Sequence, residues 1–250
     1  MRYKDRIIRS VGDALRELKK QRKPGSLVWF RGQSKRQWKL IPGLARNGDH
    51  LKAEGALIKR FMQNAVPLMI TQPREEWEWM FLMQHHRAYT RLLDWSESPL
   101  AALYFAVTEK KYRGAEGAVW CLDPVALNRN ASIKFEFETE IPAFGRDKGL
   151  DSYLPSRVQD GSALMNPVAI VGPRNTPRMA AQLGTFTINQ RDHTPIEKIG
   201  DANHIWRWVI PANSKKVLFE ELAHLGHTAL TLFPELDRVA DLSKELLYEI

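Results

Sequence analysis

The sequence predicts an α+β fold, one domain over residues 1–250 with a mixed, mainly antiparallel sheet flanked by helices. Three observations carry that expectation. Strand-like apolar runs and amphipathic stretches of helical spacing interleave without a regular βαβ rhythm. The chain has 250 residues, 44% of them hydrophobic, enough for a substantial core. No internal repeat, low-complexity tract or long polar linker divides it. These bounds exclude a disordered tail protein. The longest apolar run, Pro99 to Val107, is far short of the ~20 residues that cross a bilayer, and Met1-Arg-Tyr-Lys-Asp begins no signal peptide. A soluble, cytoplasmic protein with no membrane partner is expected. The single cysteine, Cys121, forms no disulfide or Cys-based zinc site within the chain and reads as a small buried hydrophobe.

Along the chain, Ser10 and Asp13 have capping-box spacing, and Ile7, Val11, Leu15 and Leu18 repeat on one face, predicting a basic helix over about 10–22. Pro24-Gly25 ends it, and Leu27 to Phe30 reads as a buried strand that delivers Arg31-Gly32-Gln33 at its end. Helices follow at Ala53–Val66, with Leu57, Phe61 and Ala65 on one stripe, and at Arg74–His86, with Trp77, Met80, Phe81 and Gln84 on one face. Arg91 to Trp95 is a short strand. Ser98-Pro99, a hydroxyl N-cap before a first-turn proline, starts a helix that buries Leu100, Leu103, Tyr104 and Val107. Strands are expected at Ala118–Leu122, at Ile133, Phe135 and Phe137 by alternation, and at Val168–Val171, Gly184–Ile188 and Ile205–Ile210. Ser214 caps a helix with Leu218, Leu222 and Leu225 on one face and Gly226 at its stop, and a last helix follows Pro234.

Charge is unevenly distributed. Residues 1–60 hold 17 basic and 5 acidic side chains, whereas the rest of the chain is slightly acidic. Such asymmetry suits a nucleic acid, an anionic nucleotide or simply a solvated face. Generic catalytic motifs fail: there is no G-x-G-x-x-G, Walker A loop, H-E-x-x-H or G-x-S-x-G. His85-His86 are helix neighbours about 100° apart and do not readily chelate one ion, so no metal site is expected.

Three separated segments are more specific. Trp29-Phe30-Arg31-Gly32-Gln33-Ser34 with Trp38-Lys39-Leu40-Ile41-Pro42 comes first. The second is Gln84-His85-His86-Arg87-Ala88-Tyr89-Thr90-Arg91-Leu92-Leu93-Asp94-Trp95 with Ser98-Pro99-Leu100-Ala101-Ala102-Leu103-Tyr104-Phe105-Ala106. The third joins Arg178, Ala181-Gln182-Leu183-Gly184-Thr185-Phe186 and Leu232-Phe233-Pro234-Glu235-Leu236. Together they resemble the FRG domain, named for an aromatic-Arg-Gly triplet, over about residues 26–240. The chain departs from that family at Arg87, where glycine is usual, and at Tyr89, where proline is usual.

The order of these motifs also resembles the NAD-handling core of ADP-ribosyltransferases. That resemblance implies an ADP-ribosyltransferase-like fold and an enzyme that cleaves the glycosidic bond of NAD, passing ADP-ribose to an acceptor or to water. Arg31 would hold the dinucleotide, and Thr90 or Ser96 would support its ribose side. For the usual late glutamate the candidates are Gln182, Glu220 and Glu221, none in a Glu-x-Glu strand. The alternative is a non-catalytic FRG module that binds a nucleotide, or a nucleic acid through the basic N-terminal region.

The side chains themselves leave choices open. Arg31 is either a phosphate fork or the ion-pair partner of Asp94, and Asp94 either bonds a ribose hydroxyl or neutralises Arg31 or Arg91. Gly32, lacking Cβ, would let a ligand approach the backbone beside Gln33. Gln84 suits an amide-bearing ligand or a strand carbonyl, and His85 a proton shuttle or a carbonyl contact. The candidate catalytic set is Arg31, His85, Asp94 and Gln182. The candidate NAD-binding set is Arg31, Gly32, Gln33, Gln84, Thr90, Arg91, Ser96 and Arg178. Trp95, Trp77, Trp79, Trp206 and Trp208 read as core.

Overall fold

A computed structural model describes residues 1–22, 25–131, 140–158, 164–191 and 193–245. Seven strands form one sheet: β1 (Arg6–Ile7), β2 (Trp29–Gln33), β3 (Leu92–Ser96), β4 (Gly117–Leu122), β5 (Val168–Ile170), β6 (Gly184–Ile188) and β7 (Ile205–Ile210), in the order β1-β7-β4-β2-β3-β6-β5. Among the described strands only β1 and β7 pair in parallel; the other neighbours are antiparallel, so the sheet is mixed and the fold is α+β. The helices are α1 (Val11–Gln21), α2 (Gly48–Lys52), α3 (Glu54–Ala65), α4 (Glu76–His85), α5 (Pro99–Val107), α6 (Pro124–Arg129), α7 (Pro177–Ala181), α8 (Lys215–His224), α9 (Ala229–Leu232) and α10 (Leu236–Glu245). Among the described residues, no helix is long and apolar enough to cross a membrane. The alternation at Ile133, Phe135 and Phe137 lies outside the described residues.

Side chains alternate across the sheet. Phe30, Val119, Cys121, Trp206 and Trp208 pack with α1, α5 and α8. Trp29, Trp120, Leu122, Leu93 and Trp95 form a second cluster with Leu127 of α6, and Leu92, Ile170, Phe186 and Ile188 a third with Met80 and Phe81 of α4. The tryptophans read as core are core: Trp79, Trp95, Trp206 and Trp208 are buried, and Trp77 stacks on Phe144. Cys121 is fully buried, and burial pushes its thiol pKa far up, away from thiolate chemistry.

Several local signals act as the sequence implies. Ser98 accepts a hydrogen bond from the Ala101 N–H, with Pro99 in the first turn of α5. Ser10 caps α1 through the Asp13 N–H, while the Asp13 carboxylate reaches back to the Arg9 N–H. The buried face of α1 is Val11, Ala14 and Gln21, however. Ile7 and Leu15 are 46% and 47% exposed, because Ile7 is drawn into β1 beside Val209 and the helix phase is set from Val11. Leu57 and Leu225, expected on buried stripes, are likewise exposed. Ser214 makes no side-chain cap, since it already lies in a helical conformation at the end of a short 3-10 turn. The glutamate pair Glu75 and Glu78 shortens α4, the Glu78 carboxylate accepting from the Arg74 and Glu75 N–H groups.

Two contacts fix how helix meets strand. Arg91, expected at the ligand site, is instead fully buried. Its Nε donates to both Glu54 oxygens at 2.8 and 2.9 Å, and its Nη atoms donate to the carbonyls of Tyr153, Asn189 and Gln190. Such a cation is held inside only because nearly all its donors are satisfied. Gly32, expected to admit a ligand, is the seat of α5. A Cβ there would lie 1.8 Å from the Ala102 carbonyl oxygen. Gly32→Ala must therefore push α5 off the sheet, and a loss of at least about 3 kcal/mol in urea unfolding is expected, the upper range for overpacking. A near-neutral result would contradict this packing.

Candidate functional site

The site forms where the sheet comes apart. β2 and β4 pair along the whole of Trp29–Gln33, but β2 and β3 share the single pair Phe30↔Ser96. Beyond it the strands diverge, and Arg31 lies inside β2 rather than beyond its end, with a paired neighbour on one side and the gap on the other. Its Nη1 spans the gap to the Asp94 backbone carbonyl at 2.6 Å and lies 4.0 Å from the Asp94 carboxylate. Phosphate fork and ion pair were the two open readings of Arg31. The side chain makes a loose ion pair while its buried Nε has no hydrogen-bond partner among the described residues.

Around this gap lies a cleft of about 940 Å³. It is lined by Arg31, Gly32, Gln33, Gln84, His85, Thr90, Asp94, Ser96, Arg178 and Gln182 of the expected residues; Arg91 does not reach it. On the β3 side a short relay is built from the second motif. Thr90 Oγ1 donates to Gln84 Oε1 at 2.5 Å, and Gln84 Nε2 donates to Asp94 Oδ2 at 2.8 Å. The orientation of the Gln84 amide is thereby set from both ends, and one carboxylate oxygen of Asp94 is occupied. Thr90 also accepts from the Leu92 N–H, which anchors the relay to the start of β3.

Other expected residues contribute structure to the walls. Gln33 accepts from Trp120 Nε1, and Ser96 donates to the Gln182 carbonyl at 2.6 Å. Gln182 Nε2 donates to the Leu232 carbonyl, tying α7 to α9. Neither Glu220 nor Glu221 reaches the cleft: Glu221 accepts from the Val11 N–H at the start of α1, and Glu220 faces Lys216. Among the described lining residues the carboxylates are Asp94 and Glu109.

The cleft is strongly basic, with Lys39, Arg46 and Arg87 joining Arg31 and Arg178. Neither Arg46 nor Lys39 was among the expected site residues: Arg46 was marked only by its place in the basic N-terminal quarter, and Lys39 was quoted in the first motif without a role. Burial lowers the Arg31 pKa, with Asp94 opposing and Arg46 adding to the shift. It stays cationic all the same, as guanidinium does in proteins. Arg178 is lowered by burial against the pull of Glu235, and its guanidinium sits 4.8 Å from the Phe233 ring. Much of the remaining N-terminal charge is already paired: Arg2 with Asp123, Arg6 with Glu17, and Arg36 with Asp5 and Glu116.

With that geometry in place, one family model matches part of the chain: residues 26–113 are similar to the FRG domain. The match runs from the aromatic-Arg-Gly strand β2 through α5. It stops before α7 and β6, which supply Arg178, Gln182 and the far wall. No curated protein and no solved structure matches the chain.

Position 87, where the resemblance implies glycine, has a backbone that suits one. Arg87 has φ of +62°, the left-handed region that L side chains avoid. Arg87→Gly should leave stability unchanged or raise it by up to about 1 kcal/mol in urea unfolding, relief of strain set against the freer unfolded chain. A loss larger than that would mean side-chain contacts hold this turn. His85, the last residue of α4, is pushed below the ordinary imidazole value by burial, then by His86 and Arg178, with Glu235 opposing. That direction favours the neutral imidazole. An NMR titration should give His85 a midpoint below 6.5; one at or above that value would remove the basic surroundings from the account.

Proposed function

We propose that the cleft binds an adenine dinucleotide of the NAD or ADP-ribose type, with Arg31 as the pyrophosphate contact. The observation that carries this reading is the Arg31 guanidinium set in the gap between β2 and β3, its Nε unbonded, inside a cleft of about 940 Å³ with Arg46 close enough to depress its pKa. Two guanidinium groups around a gap suit a bridging diphosphate, which accepts forked, charge-assisted bonds. The size falls at the upper end of ordinary ligand pockets, roughly 300–1,000 Å³, as an extended dinucleotide requires. Gln84, with donor and acceptor both in the cleft wall, suits a carboxamide, and Trp38 and Tyr89 offer ring faces at its rim.

NAD bound here would supply a glycosidic bond whose cleavage leaves positive charge on the ribose. Asp94 is the carboxylate placed to face that charge, and the Thr90-Gln84 relay fixes its orientation. ADP-ribose would then pass to an acceptor or to water. A second reading, a nucleotide binder that does not cleave, is favoured by two facts: Asp94 already spends one oxygen on Gln84, and no late glutamate lines the cleft among the described residues.

Calorimetry with NAD and ADP-ribose tests the binding. Arg31→Ala should lose about 1.5–3 kcal/mol of affinity, the range for a hydrogen bond to a charged group, and Arg31→Lys should recover little of it if the contact is forked. Absence of binding by the wild type, or unchanged binding by a folded Arg31→Ala protein, would overturn the reading. Release of nicotinamide by the wild type and its loss in Asp94→Asn would separate the enzyme from the binder.

A further inference from the structure

At the mouth of the cleft the loop after β2 and the turn after α5 bring together two aromatic rings and a group of lysines. Trp38 lines the cleft, is 39% exposed, and meets Tyr112 edge to face with ring centroids 5.2 Å apart. Lys35 Nζ and Lys111 Nζ lie 5.2 and 5.6 Å from the centre of the Tyr112 ring. Lys39 and Lys110 are exposed beside them. Among the described residues none of these four lysines is within ion-pair distance of a carboxylate, Lys39 interacts with Glu197 only at longer range, and the neighbouring Glu116 is already taken by Arg36. This contrasts with the basic helix α1, where Arg16 and Lys20 are paired to Asp13 and Glu17.

We infer that this surface binds single-stranded nucleic acid. Unpaired lysines beside a partly exposed tryptophan are the two components such ligands require: cations that track phosphates, and a ring on which an unpaired base stacks. An acidic peptide would satisfy the lysines and leave Trp38 without a flat partner, and a duplex keeps its base faces inside its own stack. The inference does not rest on dinucleotide binding. Lys35 and Lys111 lie outside the cleft lining, while Trp38 joins the two surfaces, so a strand held here runs past the cleft entrance.

Fluorescence anisotropy with labelled oligothymidylate, oligouridylate and a duplex, over a series of salt concentrations, tests this and separates DNA from RNA. At least one single strand should bind more tightly than the duplex. Lys35→Gln/Lys111→Gln should lose roughly 10-fold in affinity, and its log–log salt slope should shrink by about 1.4, ~0.7 for each phosphate contact on a single strand. Trp38→Ala should lose roughly 5-fold or more with the slope unchanged, because stacking releases no counterions. All three positions lie at the surface, and thermal melts matching the wild type show that the variants fold. The lysine double variant should keep wild-type ADP-ribose affinity. The inference is overturned if no single strand binds, if the duplex binds at least as tightly, if the double variant binds unchanged, or if it loses ADP-ribose along with the oligomer. Failure of ADP-ribose to bind the wild type would count against the cleft reading alone and leave the oligomer result decisive.

Discussion

The buried guanidinium of Arg91 ties together parts of the chain that are far apart in sequence. From the residue just before β3 it reaches Glu54 on α3 and the backbone carbonyls of Tyr153, Asn189 and Gln190. Removing it would leave a carboxylate and three carbonyls facing one another in the interior, which is why breaking such a group costs far more than its presence contributes. Its neighbour Thr90 turns the other way, into the cleft. One residue fixes the frame and the next begins the polar relay to Gln84 and Asp94, so the site inherits its geometry from a structural cation one position along the chain.

Much of this architecture was legible where the determining signal is local. Gly184–Ile188 and Ile205–Ile210 form strands with the expected limits, and Ser98-Pro99 starts α5, because alternation, a hydroxyl cap and a first-turn proline act within a few residues. Legibility ended where a partner distant in sequence decides. Nothing in Arg6-Ile7 alone calls for a strand; its place is set by the edge of β7, some two hundred residues on, and that pairing exposes Ile7. Of the stripe Ile7, Val11, Leu15 and Leu18, Val11 and Leu18 reach the core while Ile7 and Leu15 do not.

The motif residues divide in the same way. The clustering of Arg31, Gln84, Thr90 and Asp94 was expected because the strands of the two motifs must join one sheet, although Arg31 and Asp94 lie within their strands and not at the ends. The roles of Gly32 and Arg91 did not, since a glycine that admits a ligand and one that admits a helix carbonyl look alike in sequence, as do an arginine waiting for phosphate and one already neutralised. The family match at residues 26–113 includes both kinds of residue. Its aromatic-Arg-Gly triplet therefore encodes two things at once: a helix seat at Gly32 and a cation in the gap at Arg31.

The single pair between Phe30 and Ser96 makes the sheet two panels stitched at one point, β1-β7-β4-β2 on one side and β3-β6-β5 on the other. Along the parted edges the Arg31 side chain supplies one bond, to the Asp94 carbonyl, where a ladder would supply several. Other side chains do the rest of the joining: Trp29 packs with Leu93 and Trp95. Several of these residues also line the cleft, so to alter the cleft is to alter the seam that holds the sheet in one piece.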